Sequence, residues 1–277
     1  MLIKKAEEIE IISQGGIILT TILNKVLQQI KPGVSTEDLE DLAVVEIAKA
    51  GGRPAFKDYP MGGDLFFPTA LCTSINEEVV HGTAIPAKIL QSGDIISVDI
   101  GMEWPYKKGS SWQGKTWPIN KYSEGGGFYT DMARTVAVGK VSSKAHKLMK
   151  VTNKCLEAGI SQARAGNTLN DIGKAIETIA LKAGYGVVRD MVGHGVGYRA
   201  HEQPDVYHYS IGENSYLNKE LKEGMVIAIE PMITEGTWKI KEGNNDFSII
   251  TADKKLSAHF ENTLTITKNG PRILTRV

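Results

Sequence analysis

The chain has 277 residues, of which 42% are hydrophobic, enough to fill a sizeable core and to exclude intrinsic disorder. Its 32 Lys and Arg balance 32 Asp and Glu, which leaves no basic excess for general binding to nucleic acid or anionic lipid. Two cysteines, Cys72 and Cys155, cannot make a disulfide framework, and apolar stretches such as Met225–Ile229 fall far short of the roughly 20 residues of a membrane helix. With no signal-peptide pattern at its start, the chain reads as reduced and cytoplasmic, away from membranes.

From Ile9, apolar residues return at Ile12, Leu19, Leu23, Val26 and Ile30, a helical period that predicts one helix to about Lys31, where Pro32 and Gly33 stop it. Ser35 or Thr36 then caps a second helix, with Glu37 and Asp38 in its first turn and Gly51 and Gly52 past its end. GDIISVDIG reads as an apolar strand carrying Asp99, and FYTDMARTV as another carrying Asp131. Helical periodicity resumes over 142–163. The residues that follow, Gly166, Thr168, Asp171, Ile172, Ala183 and Gly184, match Gly33, Ser35, Asp38, Leu39, Ala50 and Gly51 at a constant offset of 133. Residues 223–230 match 92–99 at an offset of 131, and Glu261 and Thr265 match Asp131 and Thr135 at 130. Two copies of helix, helix and antiparallel strands are therefore expected, about 1–140 and 141–277. Facing one another, they form one α+β domain with helices packed on one side of a curved antiparallel sheet.

The repeat gathers Asp99, Asp131, Glu230 and Glu261 near one axis, each in an apolar strand pattern where a carboxylate is costly without a partner. Arg134 could pair with one of them, but four acids together repel strongly unless divalent cations compensate. Oxygen ligands with a minority of imidazole favour hard or borderline ions such as Mn, Fe, Co or Zn, and two ions fit four acids. The imidazole is expected from His194 in VGHGVG, where the flanking glycines would let backbone approach a metal. His81 holds the comparable place in the first half and His201 follows in AHEQP; both suit polarisation of a carbonyl or a developing oxyanion. His146, His208 and His259 have no such setting and read as surface or packing residues.

With these residues in view, the chain resembles the type I methionine aminopeptidases through KPGVSTEDLE, CTSINEEVVHG, SGDIISVDIG, TDMARTV, GHGVG with HEQP, EGMVIAIEP and LSAHFENTLTIT. The motifs span nearly the whole chain, and the family's pita-bread fold agrees with the repeat. The resemblance implies that Asp99, Asp131, His194, Glu230 and Glu261 bind two divalent metal ions (Co, Mn, Fe or Zn), with Asp131 and Glu261 bridging. His81 and His201 would stand beside the scissile bond, with Glu230 as proton shuttle. Cys72, Phe67, Phe247 and Tyr59 would form the methionine pocket, although the segment Lys57 to Leu65 looks longer than usual. The implied reaction is metal-assisted hydrolysis of the first peptide bond, with the free amine enforcing exopeptidase action. Implied partners are N-terminal methionyl peptides and nascent chains, with the ribosome as a candidate contact; a monomer and no specific nucleic acid are expected.

One departure from the family pattern stands out. Its two aspartates usually flank a short hairpin, whereas Asp99 and Asp131 stand 32 positions apart. The insertion, about 102–128, holds Trp104, Trp112, Trp117, Pro105, Pro118 and the run Gly125-Gly126-Gly127. It reads either as a tolerated surface loop, since lengthening a loop costs little closure entropy, or as an arm that meets a partner. In both cases the two aspartates should remain on adjacent antiparallel strands. Two other readings compete: an Xaa-Pro peptidase with the same ligand types, and a noncatalytic binding protein on the same scaffold.

Overall fold

The computed structural model describes residues 3–107, 120–123 and 125–276. Its first helix, α1 (Ala6–Gln29), begins three residues before the apolar period and ends two before Lys31. Helix α2 (Thr36–Lys49) is capped by Ser35, whose hydroxyl accepts from the Asp38 amide at 3.1 Å while Asp38 accepts in return from the Ser35 amide at 3.0 Å. The second copy repeats the design. Helix α3 (Ser143–Gln162) is capped by Ser142, and α4 (Leu169–Lys182) has Thr168 as its N-cap, whose amide donates to Asp171 at 2.7 Å. Gly51 and Gly184 end α2 and α4 with φ of +73° and +82°, a left-handed conformation that glycine adopts without steric cost.

Each helix pair covers its own strands. In the first half, Leu19, Leu23, Val26, Leu39 and Ile47 pack against Ile96, Val98 and Ile100. In the second, Leu148, Leu156, Ile172 and Ile176 pack against Ile227, Ile229 and Leu264. Each such buried Leu or Ile contributes about 1.5–3 kcal/mol relative to exposure. Helix α1 also seats against the end of the chain, where a Cβ at Gly16 would lie 2.3 Å from the Leu274 carbonyl oxygen. The gap that Gly16 leaves in the apolar period is thus a close helix-to-backbone contact.

In the first half, β1 (Leu71–Ile75) and β3 (Phe128–Ala137) both pair antiparallel with β2 (Ile95–Trp104). Asp99 and Asp131 do lie on adjacent antiparallel strands, and the ladder runs on past Gly101 to the pair Trp104–Phe128. The strand pairing therefore extends into the ends of the segment read as inserted; residues 108–119 and 124, with Trp112, Trp117 and Pro118, lie outside the described residues. In the second half a five-stranded sheet runs β5 (Glu202–Val206), β4 (Gly193–Gly195), β6 (Val226–Ile229), β7 (Asn262–Thr267), β8 (Gly270–Ile273).

The halves meet along β3 and β7. The Asp131 amide donates to Thr263 Oγ1 at 3.0 Å, the same hydroxyl donates to the Asp131 carbonyl at 2.8 Å, and the Glu261 amide donates to the Ala133 carbonyl at 2.9 Å. The repeat is inexact in register. Asp99 faces Ala133 and Asp131 faces Gly101, so the first two acids sit diagonally. Ile229 faces Asn262, so Glu230 and Glu261 leave the ladder directly opposite each other.

Candidate metal centre

Four carboxylates and several imidazoles converge on one cavity of about 340 Å³, lined among others by Asp99, Asp131, His194, Glu230 and Glu261, with His81 and His201. Ligand-type atoms of Asp99, Asp131 and Glu261 lie within 4.8 Å of one another, and so do those of His194, Glu230 and Glu261. Glu261 belongs to both groups. His194 Nε2 is 3.4 Å from Glu230 Oε1 and 4.0 Å from Asp131 Oδ2.

Side-chain oxygens Asp99 Oδ1, Asp131 Oδ1 and Glu261 Oε1 are buried with no hydrogen-bond partner. Such atoms cost stability unless a cation or donor meets them. Arg134, the one basic side chain that sequence offered, does not serve: its guanidinium donates to the carbonyls of Ala133 and Glu261 and to Asn262 Oδ1. Among the described residues it forms no ion pair with a carboxylate.

The unmet charge appears in the titration of the site. Burial pushes Asp99 up to about 6 and Glu230 to about 8. Burial and then the neighbouring acids hold Asp131 and Glu261 well above the ordinary carboxylate range. Burial also lowers His194 to about 4, so its imidazole is neutral at pH 7. His194 Nδ1 lies 2.9 Å from the Gly195 carbonyl; donation there puts the proton on Nδ1 and leaves the Nε2 lone pair facing the acids.

The glycines flanking His194 have a different role from the metal approach expected of them. A Cβ at Gly193 would meet the Ala228 carbonyl oxygen at 2.5 Å, and one at Gly195 would meet that of Gln203 at 2.6 Å. They let β4 fit between β5 and β6. His208 and His259 also depart from the sequence reading, which gave them no setting near the site. Both are almost fully buried; His208 Nε2 accepts from the Glu230 amide at 3.2 Å, and His259 Nε2 is 3.5 Å from Glu230 Oε2. Period-two alternation from Glu261 back to His259 could have revealed the second. His146 is exposed on α3.

Around this centre, Tyr59 meets His201 edge-on with ring centroids 5.0 Å apart, and His201 lies 4.3 Å from the His194 ring. His81 has φ of +58°, uncommon for a non-glycine residue, and burial lowers its pKa to about 4. Desolvation of its inner side and the nearby His194 and His81 keep His201 well below 6.5, although part of its surface is open to solvent. Cys72 pairs in register with Asp99, and Phe67 lies 6.3 Å from the His81 ring. Phe67, Cys72 and Tyr59 line the cavity, joined by Phe56, Val80, Met191 and Met232, which sequence reasoning missed. Phe247 does not line it. Its ring packs edge-on behind Phe67 at 5.7 Å and so buttresses the wall.

Residues 10–125 and 121–268 match the family described as Metallopeptidase family M24. A methionine aminopeptidase of Clostridium acetobutylicum is 42% identical over 99% of this chain and 98% of its own length. The crystal structure of a methionine aminopeptidase from Thermotoga maritima aligns over 100% of both chains with a TM-score of 0.85 at 35% identity. Another from Streptococci aligns over 100% of this chain and 97% of its own, with a TM-score of 0.87 at 34% identity. The chain belongs to the methionine aminopeptidases of metallopeptidase family M24. Its α+β architecture is the pita-bread fold of that family.

Proposed function

We infer that the protein hydrolyses the first peptide bond of chains that begin with methionine and carry a small second residue, using two divalent cations held by Asp99, Asp131, His194, Glu230 and Glu261. The observation that carries this reading is the set of buried, partnerless oxygens of Asp99, Asp131 and Glu261, gathered with one another and, through Glu261, with His194 and Glu230. Their chemistry suits Co, Mn, Fe or Zn. Bound there, such ions supply Lewis-acid polarisation of a carbonyl and lower the pKa of water toward neutrality.

The side chains divide the remaining work. Glu261 belongs to both ligand groups, and Asp131 belongs to the first while its Oδ2 lies 4.0 Å from His194 Nε2, which suits the two acids to bridge. Glu230, at the end of β6 with its amide fixed by His208 and its carboxylate beside His259, is placed to carry the proton from attacking water to the leaving amine. His81 and His201, both neutral at pH 7, can each donate one N–H to the substrate or to the oxyanion. Phe67, Cys72 and Tyr59, backed by Phe247, offer an apolar, sulfur-compatible wall for the methionine side chain. A cytoplasmic location accords with two free, buried cysteines, and no helix among the described residues is long and apolar enough to cross a membrane.

Cleavage of Met-Ala-Ser, Met-Arg-Ser and Ala-Pro, each with Co, Mn, Fe or Zn and with metal analysis, tests the reading. Turnover of Met-Ala-Ser alone supports it. Equal cleavage of Met-Ala-Ser and Met-Arg-Ser removes the small-residue requirement, and cleavage of Ala-Pro alone makes the protein an Xaa-Pro peptidase.

A further inference from the structure

Two clefts share His201 as a wall with the cavity of the acids. One is bounded by Arg53, Lys57, Tyr59, Tyr122 and Arg199; the other by Tyr122, Arg199, Gln203 and Asp205; His201 belongs to both. A chain leaving the cavity by either route therefore passes the same pair, Arg199 and Tyr122. Arg199 is two residues from His201, so the two Cα atoms are within about 7 Å. That is about the span of two extended substrate residues.

Arg199 is exposed and forms no ion pair among the described residues. Its guanidinium carbon lies 5.9 Å from the Tyr122 ring, a cation-π contact that orients the charge without neutralising it. Tyr122 is held in turn. Asn120 Nδ2 donates to the carbonyls of Tyr198 at 2.8 Å and Gly127 at 2.7 Å, and Asn120 Oδ1 accepts from the Tyr122 amide at 3.0 Å. The pair thus joins the segment between the two aspartates to the loop that follows His194.

The first route keeps an excess of positive charge, whereas on the second Asp205 stands against Arg199. Arg53 is engaged by Glu103 at 2.9 Å, and Glu202 by Lys4 at 2.6 Å. Lys57 adds a second cation to the first cleft, while Asp58 and Asp205 carry the opposing charges, one on each route.

We propose that Arg199, steadied by Tyr122, forms a subsite for the substrate beyond its second residue and favours an acidic side chain at the third or fourth position. The proposal rests on the aminopeptidase reading and names a further part of its substrate. The test compares kcat/KM of the metal-loaded protein on Met-Ala-Glu-Ser, Met-Ala-Gln-Ser, Met-Ala-Lys-Ser, Met-Ala-Ser-Glu and Met-Ala-Ser-Gln. At low salt, Glu should exceed Gln by about two- to fivefold at the third or fourth position, the range of an exposed ion pair. Lys should fall below Gln, and the ratios should shrink as salt rises. In Arg199→Ala the Glu/Gln ratio should fall to about one, in Arg199→Glu it should invert, and in Arg199→Lys part of it should return. Because each ratio is taken within one protein, a general loss of activity does not mimic the result. Equal kcat/KM across the wild-type series, or a ratio that survives Arg199→Ala, overturns the subsite alone. If no methionyl peptide is cleaved with any metal, the aminopeptidase reading falls and the subsite with it.

Discussion

Lys4 Nζ lies 2.6 Å from Glu202 Oε1 across 198 positions of sequence, with 1% and 4% of the two side chains exposed. Burial lowers the Lys4 pKa and Glu202 opposes that shift. Glu202 also accepts from the Tyr198 amide at 3.1 Å and directly follows His201. Tyr198 in turn donates to Glu8 at 2.6 Å. The start of the chain is therefore bonded to the turn that presents His201 to the cavity.

Removing one partner of this pair leaves the other as a buried, uncompensated charge. Lys4→Met should cost roughly 3–5 kcal/mol, and Lys4→Met with Glu202→Leu should cost less than Lys4→Met alone. At about 2–4 °C per kcal/mol, the single substitution should lower Tm by roughly 6–20 °C. Thermal melts of the two single variants and the double variant measure this. Equal melting of Lys4→Met and wild type would show that the pair contributes nothing net.

Glu261, common to both ligand groups, and Asp131, which belongs to the first and lies 4.0 Å from His194, should control metal content. Asp131→Ala or Glu261→Ala should lower the number of bound divalent ions per chain and reduce turnover of Met-Ala-Ser by more than about tenfold, read by metal analysis and initial rates. Full occupancy with full activity in either variant removes that residue from the centre. Glu230→Gln separates chemistry from binding: kcat should fall by about 10²–10⁴ with KM little changed if the carboxylate moves the proton.

Without metal, the acids of the site should favour the fold at low pH. Asp99 and Glu230 have folded-state pKa values of about 6 and 8, above the unfolded values near 4, so the folded form holds more protons between about pH 4 and 8. Their contribution to stability is thus fully present below about pH 4 and lost as pH rises through 6 and 8. The metal-free protein should lose Tm from about pH 6.5 to 8, where the raised acids act alone, whereas metal affinity should rise as pH rises because binding expels those protons. His194 and His81, lowered to about 4 from an unfolded value near 6.5, are protonated only in the unfolded chain between those values, so they oppose this slope below about pH 6.5 and drop out above it. A Tm of the metal-free protein that rises from pH 6.5 to 8 contradicts the assignment of these groups.

Local patterns carried most of the fold. The helix pairs were legible because caps and left-handed glycines are set by neighbours a few residues away, and Ser35, Thr168, Gly51 and Gly184 occupy the positions that the offset of 133 assigned them. The four acids were legible because a carboxylate in an apolar strand lacks any local means of compensation. Features set by distant strands were not. Gly193 and Gly195 serve strand packing, Phe247 stands behind Phe67, and His259 and His208 reach Glu230 across the fold, His208 from a segment with no motif of its own. Lys4 gave no signal at all, since its partner lies 198 positions away.

The segment between the two aspartates can be separated from the metal centre, and the structure shows where to cut. Joining Gly101 to Phe128 would remove Glu103, whose buried carboxylate pairs with Arg53 at 2.9 Å, and Trp104, whose indole donates to the Ala50 carbonyl at 2.9 Å. Deleting 105–127 and closing the Trp104–Phe128 pair with Asn-Gly keeps both, in a turn type suited to an antiparallel hairpin. Glu103 then loses its donors Ser123 and Gly127 but keeps Arg53 and Tyr129. The shortened protein should fold, bind as many divalent ions as the full chain and cleave Met-Ala-Ser, because Asp99 and Asp131 are fixed by a ladder that runs from Ile95–Ala137 to the new turn and by the bonds of Asp131 to Thr263. Metal analysis and initial rates on the tripeptide check the outcome. A folded variant that binds fewer ions would make the deleted segment part of the metal centre and would remove the basis for treating the two aspartates as an intact pair without it.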